Sequence, residues 1–142
     1  MKERSKRSRA REIALIILYQ IELTGDAPSE IVAANQKSRE DKGGIPEFSM
    51  ELVSLVLQNR PELDSIIELY AERWALDRMP IIDRNVLRIG LAELIFREDI
   101  PAGVTINESV ELAKEFSNPD ESGKFVNGIL GRFLSERGKA TE

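Results

Sequence analysis

The chain has 142 residues, 42% of them apolar and 32% charged, and a net charge of −5. These are the totals of one soluble domain of ordinary size with a real core, and not those of a disordered protein. Cysteine and histidine are both absent, which excludes disulfides and thiolate chemistry and removes the usual general base near neutral pH and the commonest metal ligand.

A basic arm comes first. Within residues 1–11, Lys2, Arg4, Lys6, Arg7, Arg9 and Arg11 meet only Glu3, a balance of +5, so the remaining 131 residues sum to −10. A basic arm on an acidic body suggests a polyanion for the arm and a basic protein for the body. If the first helix starts early, Arg4, Arg7 and Arg11 fall within about 60° of one another, with Lys2, Lys6 and Arg9 on another side. Such a stripe suits phosphates and unpaired bases; a solubilising tail has the same composition. The apolar run Ile13-Ala-Leu-Ile-Ile-Leu-Tyr19 that follows is short for a signal peptide and is interrupted by Gln20 and Glu22. Glu3 and Glu12 count against an organellar presequence. No apolar run has the length of a membrane span, and a cytoplasmic location is expected.

The rest reads as helix. The first helix runs from Ser5 or Ser8 to Thr24 and stops at Gly25-Asp26. Ala10, Ile13, Ala14, Ile17 and Ile21 form one apolar face, and Leu15, Tyr19 and Leu23 a second stripe, so this helix has to be covered twice. A second helix opens at Pro28-Ser29 and ends before Asp41-Lys-Gly-Gly44, and Pro46 suits the first turn of a third. The fourth follows a junction at Asn59 or Arg60 and reaches Trp74. Pro80 opens a fifth, ending at Phe96 or Arg97, whose apolar residues surround nearly the whole cylinder and mark it as central. Within it Glu93 shares a side with Ile82, Val86 and Ile89, which predicts a buried acid neutralised by an arginine or a helix end. Thr105-Ile-Asn-Glu108 is a capping-box signature for a sixth helix, to Ser117. After the turn Asn118-Pro-Asp120, a seventh covers Glu121 to Arg137, and residues 138–142 are expected to be loose. The fold class is all-α: about seven helices in one compact domain spanning residues 1–142.

No catalytic set emerges. Gly123-Lys124 lacks the glycine that a phosphate loop requires five residues earlier, where Asn118 stands. Glu108 and Glu111 form a solvated helical pair rather than a glycosidase site, and no cofactor motif is present. The last helix carries the more specific pattern. Phe125, Val126, Ile129, Leu130, Phe133 and Leu134 occupy one half of its cylinder, and Lys124, Asn127, Gly128 and Gly131 the other. Gly123 lies near the helix start, where its cost is small. A bare surface with a cation, an amide and a bordering aromatic suits either a closely packed helix or a single-stranded base.

The segments Asp83-Arg-Asn-Val-Leu-Arg-Ile89, Glu93-Leu94, Ile100-Pro101, Ile106-Asn-Glu-Ser-Val-Glu-Leu-Ala-Lys114 and Ser122-Gly-Lys-Phe-Val-Asn-Gly-Ile-Leu130, with the arginine-rich start and Ala14-Leu15 to Tyr19, resemble the NusB transcription antitermination factors. The resemblance runs from end to end and keeps its order. It implies two small helical bundles packed across each other, and binding of the boxA element of ribosomal RNA leader transcripts as a heterodimer with NusE, a small-subunit ribosomal protein. That complex joins RNA polymerase for antitermination. By matching motif positions, the resemblance assigns RNA contact to the arm, Tyr70, Arg88, Phe125 and Asn127; Lys124 is added from the helical projection. Tyr19 and Asp83 would lie toward the ribosomal protein, with Leu15 and Leu23 supplying apolar contact. Where the family usually carries an acid, this chain has Gly131, so a contact through that carboxylate is lost. The alternatives are an RNA-binding homodimer of the same fold and a protein adaptor without RNA contact. The N-terminal region of certain ribosomal RNA cytosine methyltransferases is also similar, but the cysteine their chemistry needs is absent.

Overall fold

In the computed structural model, residues 5–72 and 74–141 are described, with side chains through Arg137. Seven α-helices follow one another: α1 Lys6–Thr24, α2 Pro28–Ser38, α3 Glu47–Gln58, α4 Arg60–Tyr70, α5 Ile81–Phe96, α6 Ala102–Phe116 and α7 Glu121–Thr141. Single 3-10 turns occupy Glu40–Lys42 and Leu76–Arg78, and no strand occurs among the described residues. α1, α2 and α3 form one small bundle, and α4, α6 and α7 another; α5 packs against α1, α3, α4, α6 and α7 and joins the two.

Local chemistry sets most of the helix ends. The Ser5 Oγ accepts the Ser8 N–H at 3.0 Å and starts α1. Gly25 ends it with φ 73°, a left-handed conformation open to glycine, and its N–H donates to the Ile21 carbonyl at 3.1 Å. Proline stands at the entry of α3, α5 and α6 and within the first turns of α2 and α4.

Three boundaries differ from the sequence expectation. α4 stops at Tyr70 rather than Trp74, because the chain turns at Ala71 and the Trp74 ring packs on Phe125 of α7. α6 begins at Ala102 with Pro101 as its cap, so Thr105 is not a capping residue. Thr105 is buried and donates to Glu93 at 3.0 Å, while Glu108 engages Ser8 and Arg11. The capping-box letters thus serve tertiary bonds. α7 stays helical through Thr141, past the expected end at Arg137; Glu142 lies outside the described residues.

The core runs through both bundles, from Leu15 and Ile17 of α1 through Leu52 and Val53 of α3 to Leu87, Ile89 and Leu91 of α5 and Leu130 of α7. Burying each such side chain stabilises the fold by about 1.5–3 kcal/mol. Two polar networks cross this core. In the first, Arg11 grips Glu93 with two hydrogen bonds of 2.6 and 2.8 Å, and both side chains are at most 3% exposed. The acid expected to need an arginine has one, from α1. In the second, Arg88 donates to Asp64 at 2.7 and 3.1 Å and to Glu22 at 2.5 Å, and Arg84 also binds Glu22. This network ties the end of α1 to α4 and α5. Burial raises the Glu22 pKa, but hydrogen bonds and charge from Arg84 and Arg88 outweigh it and hold the carboxyl below its ordinary 4.5.

Glycine also sets helix separation. A Cβ on Gly90 of α5 would lie 2.8 Å from Leu130 Cδ1 and 2.8 Å from Ser109 Oγ, so α5, α6 and α7 meet where no side chain fits. Gly90→Ala is therefore expected to destabilise the protein by about 1–3 kcal/mol in urea unfolding. Gly128→Ala, where a Cβ meets nothing within 4 Å, should stabilise it by about 0.5–1 kcal/mol. Arg11→Ala leaves Glu93 buried and unpaired and should cost about 3–5 kcal/mol in the same measurement, with Arg11→Met/Glu93→Leu recovering most of the loss. Because the Glu22 pKa is depressed by folding, its contribution is present above the unfolded-state value and disappears as pH falls through the folded one. Melting temperature should thus drop on acidification below about pH 4.5, and less steeply in Glu22→Gln.

Candidate nucleic-acid interface

The end of α4 and the turn after it face the exposed side of α7 and enclose an open groove of about 430 Å³. Tyr70, Trp74 and Phe125 form its aromatic walls, Gly128 its bare floor, and Lys124 and Arg132 its basic edges. The Trp74 and Phe125 rings lie 5.7 Å apart at 40°, and Tyr70 meets Phe133 edge-on at 6.4 Å. The Arg132 guanidinium sits 5.3 Å from the Tyr70 ring centroid and donates to the Tyr70 carbonyl and to Glu72, at 3.2 and 3.0 Å. Trp74 remains 49% exposed, so its ring is open to stacking. The apolar half of α7 faces the core through Val126, Ile129 and Leu130, which fixes the glycine face outward. Beyond Lys124 lies a second groove, of about 560 Å³, between α6 and α7; Asn127 lines it.

Tyr70, Lys124 and Phe125, singled out from sequence, are thus brought together, with Asn127 on the adjoining side of α7. Lys6, Arg7 and Arg9 are exposed on the first turns of α1; Lys2 and Arg4 lie outside the described residues. The Arg7 guanidinium stands 4.9 Å from the centroid of the Phe48 ring, which Arg11 and Arg97 also approach, at 5.4 and 5.3 Å. Hydrogen bonds from Arg97 pull the exposed Asp99 carboxyl down to about 2.

Four expected site residues are placed elsewhere. Arg11 is buried against Glu93, so no exposed three-arginine stripe forms. Arg88, at 2% exposure, is held inside the protein by Asp64, Glu22 and Asn85 rather than presented at the surface. Leu15 is buried in the core because α2, α3 and α5 together cover both sides of the upper part of α1. Asp83 is buried and accepts from Ser122 at 3.0 Å. On the expected protein-partner side this leaves Tyr19, half-buried, and Leu23, 57% exposed.

Sequence reasoning missed Trp74 and Arg132 as site residues. The signal for the first was that the only tryptophan of the chain falls at the very end of a helical pattern. Arg132 gave none, because nothing in periodicity shows which aromatic a surface arginine will cover. Gly123 also has more consequence than its position at a helix start suggested: a Cβ there would lie 2.9 Å from Lys114 Cγ, so the lysine stem crosses α7 over this glycine.

Comparison with known proteins identifies the family. A family model described as the NusB family matches residues 8–135. The transcription antitermination protein NusB of Thermobifida fusca is 43% identical over 136 residues, 96% of this chain and 94% of that protein. The NusB of Myxococcus xanthus is 46% identical over 131 residues, 89% and 92% of the two chains. A crystal structure of the antitermination factors NusB and NusE in complex with double-stranded RNA contains a chain that superposes with a TM-score of 0.77 at 33% identity, over 93% of this chain and 99% of that one. With a family match across most of its length, relatives above 40% identity and a superposition over nearly the whole chain, the chain belongs to the NusB family.

Proposed function

We propose that this protein is a transcription antitermination factor that binds the boxA element of ribosomal RNA leader transcripts as a single strand. It acts together with NusE and within an antitermination complex on RNA polymerase, in the cytoplasm. It works as one RNA-binding domain over residues 1–142 with a basic arm at residues 1–11, by binding rather than by catalysis, and without a cofactor. The observation that carries this reading is the aromatic groove: Tyr70, Trp74 and Phe125 beside Lys124, over a helix surface stripped of side chains at Gly128. An exposed ring such as Trp74 next to a cation stacks unpaired bases irrespective of sequence. The walls are single rings at an open groove, which suits a splayed base and not the closed edge of a duplex. Antitermination and the NusE partner are supported by the relatives named above, and a basic ribosomal protein suits the −10 body. Tyr19 and Leu23 would supply the protein contact, and Lys2, Arg4, Lys6, Arg7 and Arg9 the phosphate contacts.

Titration of a boxA oligonucleotide with and without NusE tests the reading. Affinity is expected to rise when NusE is present and to exceed that for a scrambled strand or a duplex of the same length. Equal, sequence-independent binding in both cases would reduce the protein to a general polyanion binder. A single molecular weight twice that of the chain that excludes NusE would favour the homodimer. Replacing Lys6, Arg7 and Arg9 by alanine should lower the slope of log affinity against log salt by about 2, at roughly 0.7 per lost phosphate contact on a single strand.

A further inference from the structure

The groove between α6 and α7 is built of chemistry that the aromatic groove lacks. Asn107 of α6 and Asn127 of α7 line it with amides, and Ile106 and Val110 give it an apolar floor. Its cations are Lys124, shared with the aromatic groove, and Lys114. Lys114 is drawn over this groove because Gly123 has no Cβ to obstruct its stem, and its ammonium has only a loose contact of 3.8 Å with Glu111. Asp120 also lines it. Between the two grooves, α7 presents Lys124 and then Gly128 and Gly131, where an added Cβ would meet nothing within 4 Å.

We propose that this groove takes the nucleotide adjoining the one stacked in the aromatic groove, and that it reads that base. The proposal rests on the RNA reading above. The strand crosses α7 at the glycine surface, and Lys124 neutralises the phosphate that links the two nucleotides. Lys114 holds the next phosphate. The two grooves differ in task. Stacking on Trp74 and Phe125 accepts any base, since every base has a π-face. Amides that donate and accept in one plane, with a carboxylate able to accept from an exocyclic amine, discriminate between base edges. Continuity with the aromatic groove through Lys124 favours a nucleotide, whose neighbour already occupies that groove, over a protein segment.

Trp74 makes the test direct, because it is the only tryptophan of the chain and stands in the other groove. The probe is a boxA oligonucleotide in which each base is removed in turn, with binding followed by Trp74 fluorescence. In the wild-type protein, removal of the base next to the stacked one should weaken binding at least about fivefold, the low end of a side-chain-to-base contact. Asn107→Ala should weaken the intact strand by a similar factor and reduce that abasic penalty to less than about twofold. Gly103→Phe fills the groove at a site where a Cβ meets nothing within 4 Å, and it should have the same effect. Thermal melts of both variants verify that they are folded. Fluorescence quenching with unchanged abasic penalties in both variants overturns the proposal while leaving the aromatic site standing. Absence of any Trp74 response to RNA overturns the aromatic site and this groove together. Penalties unchanged for RNA, but lost binding of NusE in both variants, would instead assign the groove to protein.

Discussion

The structure depends first on the buried pair between Arg11 and Glu93. A carboxylate at 1% exposure in the middle of α5 is tolerable only when a cation meets it with full hydrogen bonding, and Arg11 meets both of its oxygens. That requirement locks the first turns of α1 onto α5. Thr105 adds a third bond to the same carboxylate, and Glu108 reaches Ser8 and Arg11, so α6 is drawn into the same cluster. Three helices from distant parts of the chain are thereby held by one charge that cannot be left alone. The same constraint decides the fate of the basic arm. Arg11 is spent inside, and among the described residues the arm's available cations are Lys6, Arg7 and Arg9.

The candidate interface inherits its shape from that frame. α5 is enclosed on nearly every side, so α7 can use only one half of its surface for the core, and its glycine half is turned to solvent. The crossing at Gly90 brings α6 and α7 together over α5, and Gly123 lets Lys114 lie across their seam. One groove then opens where α7 meets the end of α4 and another where it meets α6. Two glycine roles are separated here. Gly90 and Gly123 permit close approach within the protein, whereas Gly128 and Gly131 leave space outside it.

Glu22 shows how the same polar logic works at the other end of α1. Three arginines lie within reach of its carboxylate, and the most deeply buried of them, Arg88, is shared with Asp64. Removing a charge from such a cluster exposes the others to an apolar surround, which is why it resists rearrangement. It also withdraws Arg88 from any ligand. The family resemblance assigned this arginine to RNA, yet an acid at the end of α1 holds it inside the protein.

Much of the fold was legible in the residues. Serine at the start of α1, Gly25 at its end and the prolines that open later helices act over a few residues, so the seven helices could be read from local chemistry. The all-round apolarity of α5 announced its central place, and Glu93 among its apolar residues announced a buried acid in need of an arginine or a helix end. The outward face of α7 followed from its 3.6-residue period, since the apolar half can have only one destination. What no single helix could state was the identity of neighbours. Leu15 and Asp83 are buried because other helices close over them, Thr105 left its capping role for Glu93, and Trp74 abandoned the end of α4 for Phe125. Periodicity ranks the faces of a helix, but which charge meets which, and where two surfaces leave a groove, are set by contacts between residues far apart in the chain, and these exist only once the helices are packed.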